Sequence, residues 1–510
     1  MRRLRFWPPL LFAIHPILFL YAQNVEDVQP GEMLLPIFLC ALLAAALLLL
    51  LAILLRDALR ASLLTTLVLL LFFSFGHAVA LVEKIPLVAL APQLTVVIVS
   101  LALLALAAWW IVRTRTKLER AASWLAVVGF ILVAIQGMRA APGLLQRGAP
   151  IETPQAAAVA AAAATEELPD IYLIVLDGYA RADVMRELYD FDVEPFLRRL
   201  RQMGFHVAEA SRSNYIKTLH CFTSILNMDY LQELVTLDPL YLRSGPFLRL
   251  IRHNRVQKSL EQLGYSVVTF SSGYRVVELP RPDHVLQPGF ALTEFQSALL
   301  ATTPIPLFVD EESNLYALHR ERLDFIMEKL PRVEEGSRPR FVFAHLLAPH
   351  PPFVFDEEGR SVSPERPFGF YDGSDFYKHG GSREEYVRSY AAQARYVTRR
   401  LETMLTQLLE SSRRPPVILL QSDHGPGAHL DWRSIPDSDL RERFGILFAV
   451  YLPGFETITL PHDMSPVNTF RLVFDLYFGS ELGPLEHRSY YTFQSRPYQY
   501  VDVTDSTDPR

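Results

Sequence analysis

Residues 170–179 read DIYLIVLDGY, an apolar run that ends at an aspartate and a glycine. A continuous apolar run of this length is typical of a strand that is buried on both faces of a parallel sheet. Four later segments have the same character: 266–270, 341–347, 417–421 and 446–452. Long amphipathic segments, such as the one at about 383–409, lie between them. This alternation predicts an α/β domain with a mostly parallel central sheet flanked by helices.

The region before this domain has a different composition. The chain has 510 residues, of which 50% are hydrophobic and 20% are charged, and its mean hydropathy is +0.17. The apolar excess lies in roughly the first 140 residues, which predicts a membrane region followed by a water-soluble domain. The formal net charge of −6 gives no reason to expect a nucleic-acid partner. Only Cys40 and Cys221 are present, so a disulfide within the soluble domain is excluded.

Five apolar stretches predict about five transmembrane helices. They lie at about 6–22, 33–55, 61–82, 85–112 and 122–138. Each is near the roughly 20 residues that a helix needs to cross the hydrocarbon core. The first is short and contains three prolines, so a cleaved signal peptide is its alternative reading. No small-residue cleavage pattern precedes the acidic loop at 26–32, however.

The loop charges predict the orientation. Basic residues mark alternate loops: Arg2, Arg3 and Arg5; Arg56 and Arg60; Arg113, Arg115, Lys117 and Arg120. The positive-inside rule then places the N-terminus in the cytoplasm. Five crossings would make the chain a multi-pass protein of the inner (cytoplasmic) membrane with an extracytoplasmic, periplasmic catalytic domain. An error of one helix would invert this orientation.

We therefore divide the chain into three predicted parts. Residues 1–138 form the transmembrane helical region, and 139–168 form a linker rich in alanine and proline. Residues 169–510 form the catalytic domain.

Polar residues follow the predicted strands at the points where the strands end. Asp177 follows the first, His350 follows 341–347, and Asp423 and His424 follow 417–421. Ligands of open α/β sheets bind at the carboxyl ends of the strands. The sequence SDHG at 422–425 could give one oxygen and one nitrogen ligand to a cation. Its alternative is an ordinary turn, as a DG turn is for 177–178.

A hydroxyl motif supplies a candidate nucleophile. Residues 213–224 read SNYIKTLHCFTS, between a probable strand and a probable helix. A hydroxyl at a helix N-terminus benefits from the positive end of the helix dipole. Thr218 would fill this position, and helix capping is its alternative role. His350 lies in a proline-stiffened loop that could aim it, whereas His345 lies within a strand and is interpreted as a satisfied interior histidine.

Taken together, these motifs resemble the alkaline phosphatase superfamily. The resemblance lies in their order: Asp-Gly after the first strand, a threonine motif, a His-Pro loop, then Ser-Asp-His-Gly. The five-span anchor and linker are similar to those of lipoteichoic acid synthases and phosphoethanolamine transferases. The soluble part also resembles bacterial sulfatase-like hydrolases. The resemblance covers about 168–510.

The resemblance implies roles for particular residues. Asp177, Thr218, Asp423 and His424 match the metal ligands, and Thr218 matches the nucleophile. His350 matches the histidine that holds the transferred group or assists the leaving group. His429 and Arg443 are candidate substrate-binding residues on proximity in sequence alone. One divalent metal ion is implied, with Zn or Mn favoured and Ca or Mg remaining open.

Departures from the sulfatase pattern bear on the nucleophile. Sulfatases activate a Cys or Ser in C-x-P-S-R or C-x-A-S-R, whereas this chain has CFTSI at 221–225. Thr218 is therefore preferred, and Cys221 stays as the alternative nucleophile. The set of ligands that two-metal phosphodiesterases need is not found, so one metal is predicted.

These features predict a membrane-anchored, metal-dependent, sulfatase-like enzyme that acts on phosphate or sulfate esters. A phospholipid would donate a phosphoethanolamine or phosphoglycerol head group to an envelope glycan or lipid, so membrane lipids are the expected partners. The alternative is a sulfuric ester hydrolase. A more remote alternative is a non-catalytic membrane binding protein with a degenerate site.

Overall fold

The computed structural model describes most of the chain in two compact units. Its described residues are 4–26, 28–85, 91–114, 118–147, 168–235, 244–289, 292–308, 311–334 and 336–507. The first unit comprises Met1–Ala149 and Phe290–Glu311, and the second comprises Pro150–Gly289 and Glu312–Arg510. The prediction placed all of 169–510 in one domain. The structure instead groups Phe290–Glu311 with the helical unit, because apolar side chains of this segment pack there.

The first unit is helical. The α-helices are numbered in chain order through both units. Those of the first unit are α1 (Pro8–Gln23), α2 (Leu34–Leu55), α3 (Ala58–Val82), α4 (Pro92–Arg113), α5 (Glu119–Arg147) and α12 (Glu294–Ala301). Within the described residues, α2 to α5 are long and apolar enough to cross a membrane by length and composition. The first predicted stretch forms α1, which has only 16 residues. Its Ala13 and Ile17 are fully buried.

The predicted linker begins later than expected. Helix α5 continues to Arg147 and contains Pro142, so the helix includes the first part of the predicted 139–168 segment. The alanine-rich run at 156–164 lies outside the described residues, as do Arg115 and Lys117 of the predicted basic loop.

The second unit is built on a seven-stranded sheet. Its strands are β1 (Ile171–Leu176), β2 (His206–Val207), β3 (Ser266–Phe270), β4 (His284–Leu286), β5 (Arg340–Leu346), β6 (Val417–Ser422) and β7 (Phe448–Tyr451). The strand order is β2-β7-β6-β1-β5-β3-β4. All pairs are parallel except β2–β7 and β6–β7. A separate antiparallel pair consists of β8 (Tyr490–Phe493) and β9 (Arg496–Asp502).

Helices cover both faces of this sheet. They are α6 (Ala182–Tyr189), α7 (Glu194–Gln202), α8 (Thr218–Asn227), α9 (Leu231–Leu234), α10 (Gly245–Arg252), α11 (Arg255–Gln262), α13 (Glu311–Lys329), α14 (Ser374–Lys378), α15 (Arg383–Ser411), α16 (Leu440–Phe444) and α17 (Thr469–Phe478).

Strand β1 shows why its sequence is apolar at every position. Ile171, Leu173 and Val175 belong to one core cluster, and the alternating Tyr172, Ile174 and Leu176 belong to another on the opposite face. Because successive strand residues point to opposite faces, a strand covered on both sides must be apolar throughout. The predicted fold, a membrane-type helical region followed by a mostly parallel sheet flanked by helices, is confirmed. One detail differs: the predicted strand at 446–452 is β7, and it runs antiparallel to β6.

Candidate metal centre and active site

The register of the central strands brings several polar side chains to one edge of the sheet. Leu176 of β1 pairs with Ser422 of β6, so Asp177 and Asp423 each follow the end of neighbouring parallel strands. On the other side of β1, Val175 pairs with His345 of β5. Side chains two residues apart share a face, which places His345 and Asp177 on the same face.

The nucleophile motif reaches this edge through helix α8. Thr218 is the first residue of α8, where the helix dipole is positive and backbone N–H groups are free of intrahelical partners. The Thr218 hydroxyl oxygen lies 3.0 Å from Nε2 of His424. Nε2 of His424 lies 3.3 Å from Oδ2 of Asp423 and 3.6 Å from Oδ1 of Asp177. The structure thus brings together all four residues that the sequence proposed as ligands.

Hydrogen bonds fix the tautomer of His424. Its Nδ1 atom lies 3.0 Å from the carbonyl oxygen of Gly425, which can only accept, so Nδ1 carries the proton. Burial lowers the pKa of His424 to about 3, and Arg443 adds to the effect. The neutral ring therefore presents the lone pair of Nε2 to the Thr218 hydroxyl, which donates to it.

His345 joins this cluster, which the sequence did not predict. Its Nε2 atom lies 3.2 Å from Oδ2 of Asp177, and both side chains are buried. Ligand atoms of Asp177, His345 and Asp423 all lie within 4.8 Å of one another. The Nδ1 atom of His345 is buried with no hydrogen-bond partner. The interpretation of His345 as a satisfied interior histidine is therefore incomplete.

The buried carboxylates have the properties of a cation site. Oδ1 of Asp177 and Oδ2 of Asp423 are buried and have no hydrogen-bond partner. Buried charged oxygens are costly unless they are paired or bound to a metal. Burial and the neighbouring charge of Asp177 raise the pKa of Asp423 well above its usual range. Carboxylate oxygens with one or two imidazoles are a donor set that divalent cations accept, so the residues present fit a metal ion.

Two glycines allow the ligand loops to turn at this edge. Gly178 follows Asp177 and has a φ of +72°, which is the left-handed region that glycine adopts without strain. Gly425 follows His424, and a Cβ atom there would lie 2.0 Å from the carbonyl oxygen of Glu442. Glycine is required at Gly425 by close backbone approach rather than by a left-handed turn.

His350 lies beside the candidate ligands. Its backbone N–H donates to the carbonyl of Asp177 over 3.1 Å, and its ring centroid lies 6.1 Å from that of His424. Its Nδ1 donates to the carbonyl of Pro351, which leaves Nε2 for other partners. That Nε2 lies 3.7 Å from Oδ2 of Asp372.

Asp372 and Arg443 form a buried ion pair behind the site. Nη1 of Arg443 donates to Oδ2 of Asp372 over 2.6 Å, and the Tyr386 hydroxyl donates to Oδ1 over 2.6 Å. Burial alone would raise the pKa of Asp372, but the Arg443 guanidinium and then His350 lower it to about 2. Asp372 follows no predicted strand, so no sequence signal pointed to it.

Arg443 connects the loops that carry the candidate ligands. Its guanidinium donates to the carbonyl oxygens of Ile216, ahead of Thr218, and of Gly425, after His424. The side chain is 1% exposed. Four of its five N–H groups donate in these contacts and in the pair with Asp372, which are those of a residue that positions both loops.

Lys217 is a further cation next to the nucleophile, and the sequence analysis did not single it out. Its Nζ donates to the carbonyl of Phe493 over 2.9 Å and lies 5.7 Å from the ring centroid of Trp432. Burial, with a smaller contribution from Arg443, lowers the pKa of Lys217 to about 8. A lysine preceding the candidate nucleophile was visible in the sequence, but its burial was not.

The structure separates the two candidate nucleophiles. Cys221 lies one turn further along α8, where its thiol donates to the carbonyl of Tyr215 and is 2% exposed. Burial raises the pKa of the Cys221 thiol well above its usual range, which keeps it protonated and a weak nucleophile. The hydroxyl oxygen of Thr218, by contrast, lies 3.0 Å from Nε2 of His424.

His429 has a structural partner rather than a contact with the cluster. Its Nδ1 atom lies 3.1 Å from Oε1 of Glu442, and its backbone N–H donates to Oε2 of the same residue over 2.7 Å. The side-chain hydrogen bond to Glu442 raises the pKa of His429, although burial opposes it. Among its described contacts, none is with Asp177, Thr218, Asp423 or His424.

Residues 272–454 match the family model described as Sulfatase. This stretch is similar to the sulfatase family. The matched stretch includes His350, Asp372, Asp423, His424 and Arg443, and it ends at the chain segment just after β7. The predicted membership of the alkaline phosphatase superfamily, and with it the prediction of an enzyme, is confirmed.

The chain also has similar solved structures at low sequence identity. The integral membrane phosphoethanolamine transferase A of Neisseria meningitidis is 13% identical, with a TM-score of 0.42, over 89% of this chain and 76% of that one. The periplasmic domain of EptC from Escherichia coli in complex with Zn is 12% identical, with a TM-score of 0.40, over 66% and 93%. A putative sulfatase from Bacteroides thetaiotaomicron is 14% identical, with a TM-score of 0.40, over 65% and 79%. None of the curated proteins matches the chain.

Proposed function

We propose that this chain transfers a phosphoethanolamine or phosphoglycerol head group from a phospholipid to a hydroxyl of an envelope glycan or lipid. The observation that carries this proposal is the Thr218 hydroxyl at the start of α8, 3.0 Å from His424 and beside two buried carboxylates. An activated hydroxyl at a helix N-terminus suits attack on an anionic ester group.

The proposal includes one divalent cation. Asp177, Thr218, Asp423 and His424 would hold it, with His345 as a further ligand or as the partner that orients Asp177. A set rich in oxygen with one or two imidazoles favours Zn or Mn, while Ca or Mg remains compatible. When bound, the cation would lower the pKa of the Thr218 hydroxyl and offset negative charge on the transferred group.

The proposed reaction has two displacement steps. In the first, the Thr218 oxygen bonds to phosphorus, the bond from phosphorus to the lipid oxygen breaks, and the Thr218 proton is released. In the second, the acceptor hydroxyl attacks the same phosphorus, and the Thr218 oxygen leaves and regains a proton. Such two-step transfers give ping-pong kinetics.

His350 is the proposed acid of the first step and the base of the second. The carboxylate of Asp372 lies 3.7 Å from Nε2 of His350. The protonated Nε2 would give its proton to the leaving lipid oxygen and recover one from the acceptor hydroxyl. Arg443 holds Asp372 ionised for this role.

The membrane region gives the proposal its substrates. Four helices of the described chain are long and apolar enough to cross a membrane, and a tethered catalytic domain can reach phospholipid head groups. The positive-inside rule supports an extracytoplasmic position for the catalytic domain of a multi-pass inner-membrane protein.

The decisive experiment looks for the covalent intermediate. The purified full-length protein is incubated with phosphatidylethanolamine or phosphatidylglycerol and a divalent metal, and peptides covering α8 are examined by mass spectrometry. The expected result is a head-group adduct on Thr218 that Thr218→Ala lacks and that Thr223→Ala, at the threonine five residues further along α8, retains. Turnover of both lipids without any adduct on Thr218 would rule out the proposed nucleophile.

A sulfuric ester hydrolase is the second candidate, and the match to the sulfatase family model supports it. In this case Cys221 would be converted to formylglycine, and an aryl sulfate would be hydrolysed. Intact-mass analysis of the same protein would detect the loss of the thiol at Cys221. Sulfate-ester turnover that requires Cys221 and tolerates Thr218→Ala would establish this candidate.

The proposed orientation has its own test. Val285 lies on β4 and is 54% exposed, so Val285→Cys offers a reactive thiol on the catalytic unit. We expect a membrane-impermeant thiol reagent to label Val285→Cys in intact cells whose outer membrane is permeabilised. Labelling only after lysis would place this domain in the cytoplasm.

A further inference from the structure

The segment Phe290–Glu311 is grouped with the first unit, although its sequence neighbours belong to the second. It follows β4 and precedes most of α13, both of the catalytic unit, yet its contacts group it with the membrane-type helices. Helix α12 packs directly on α1. Its Phe295 and Leu299 are 4% and 6% exposed within a cluster that contains Ile17 of α1 and Phe73 of α3.

Helix α3 and this segment approach each other at backbone level. The N–H of Gly76 donates to the carbonyl oxygen of Thr302 over 3.0 Å. A Cβ atom at Gly76 would lie only 2.1 Å from the carbonyl oxygen of Ala301. Gly76 precedes the end of α3 at Val82 by six residues, which at 1.5 Å per residue is about 9 Å along the helix.

The length of α3 indicates how deep in the bilayer this contact would lie. A helix of 25 residues is about 37 Å long, whereas the hydrocarbon core is about 30 Å thick. A helix centred on the core projects by about 4 Å at each end, so a contact about 9 Å from the end of α3 lies about 5 Å inside the hydrocarbon. The segment that makes the contact must lie there as well.

The composition of the segment suits that environment. Residues 295–309 read FQSALLATTPIPLFV, with no charged side chain. Phe308 is 85% exposed, and Ile305 and Leu307 are partly exposed. An isolated uncharged run with an exposed aromatic side chain is unfavourable in water and favourable in hydrocarbon.

The backbone N–H groups that follow α12 have hydrogen-bond acceptors close to them in the sequence. After α12, the N–H groups of Thr302, Thr303, Leu307 and Phe308 donate to nearby carbonyls, and that of Ile305 donates to the Thr303 hydroxyl. The hydroxyls of Thr302 and Thr303 donate to the last carbonyls of α12. Pro304 and Pro306 have no N–H group. Each N–H group with a partner avoids the several kcal/mol that an unpaired backbone group costs in hydrocarbon.

We propose that residues 295–308 form a re-entrant element that enters one leaflet of the bilayer beside α1 and α3 and exposes Phe308 to lipid acyl chains. The occupant of this exposed apolar surface is therefore lipid. The chain would contact the bilayer through a segment of the sulfatase-like stretch as well as through its N-terminal helices.

Fluorescence quenching by brominated lipid tests this proposal. Phe308→Cys in a Cys40→Ala background is labelled with bimane, and the Cys40→Ala protein measures labelling of the buried Cys221. The full-length protein is placed in phosphatidylcholine vesicles with and without bromine on the acyl chains. Phe38→Cys on α2, 64% exposed, is the lipid-facing reference, and Val285→Cys on β4 is the aqueous reference.

We expect the bimane on Phe308→Cys to lose intensity in brominated vesicles as that on Phe38→Cys does. Intensity that stays unchanged, as at Val285→Cys, would overturn the proposal. Phe308→Trp gives a reading without a label, taken as the difference in quenching from the unaltered chain, whose five tryptophans supply the background.

A second pair of variants tests the contact with α3. Gly76→Ala places a methyl group against the Ala301 carbonyl, whereas Gly137→Ala on α5 meets nothing within 4 Å. Combined with the labelled Phe308→Cys, Gly76→Ala is expected to change the quenching and Gly137→Ala to leave it unaltered. Equal quenching in both variants would contradict the proposed contact between the segment and α3.

Discussion

The Nη1 atom of Arg443 lies 2.6 Å from Oδ2 of Asp372, and both side chains are buried. The same guanidinium holds the carbonyls of Ile216 and Gly425. One buried ion pair therefore links the segment before Thr218, the segment after His424 and the carboxylate that faces His350.

Arg443→Met should be among the most damaging single changes in the catalytic unit. Removing one partner of a buried ion pair leaves an uncompensated charge, which costs about 3–5 kcal/mol of unfolding free energy. Denaturant unfolding of the purified protein measures this loss. Arg360→Met is the matched control, because its pair with Asp356 is exposed and should contribute little to stability. Similar unfolding midpoints for the two variants would contradict the assigned role.

His345→Gln should weaken metal binding while leaving the fold intact. If His345 coordinates the cation or orients Asp177, its loss should raise the dissociation constant about 10- to 100-fold. Calorimetric titration with Zn²⁺ and Mn²⁺ measures the affinity. His319→Gln is the control, since His319 is an equally buried histidine outside the cluster. Unchanged affinity in His345→Gln would return this residue to the interpretation of an interior histidine.

Asp423→Asn should remove metal binding without destabilising the metal-free protein. A carboxyl group whose pKa is raised by folding destabilises the native state at neutral pH, so a neutral side chain of the same shape relieves that penalty. We expect a melting temperature equal to or above that of the metal-free wild type. Added metal should raise the melting temperature of the wild type but not that of Asp423→Asn. Exposed Asp356→Asn should keep the metal response, and a metal response in Asp423→Asn would argue against the site.

His429 should make stability depend on pH in the neutral range. Its pKa is raised above 6.5 by Glu442, so its contribution is fully present below pH 6.5 and is lost as the pH rises through the raised value. Melting temperatures followed from about pH 6 to pH 9 should fall over that interval. His429→Gln should flatten the profile and exposed His284→Gln should not. An unchanged slope in His429→Gln would exclude this ion pair as the cause.

The sequence predicted those parts of the fold that depend on local pattern. The apolar runs of β1 and β6 are uninterrupted because both faces are covered, and the polar residues that follow them were recognisable as edge residues. Family resemblance then suggested that Asp177, Asp423 and His424 belong to one site.

Features that depend on long-range register were not predictable. His345 reaches Asp177 only because Val175 pairs with it across β1 and β5, and no local pattern sets that register. Asp372 lies in a loop that no strand precedes, and its role follows from Arg443. The packing of Phe290–Glu311 in the helical unit was not predicted, because an apolar run of 15 residues is shorter than a membrane span.

The pairing of β1 has a consequence for the order of biosynthesis. Ile171 pairs with Phe341 on one side and with Val417 on the other, and both partners are synthesised long after it. Such distant pairings make folding slow, because a long loop must close before either contact forms. The emerging polypeptide can therefore have no functional centre until β6 has left the ribosome and, if the proposed orientation holds, crossed the bilayer.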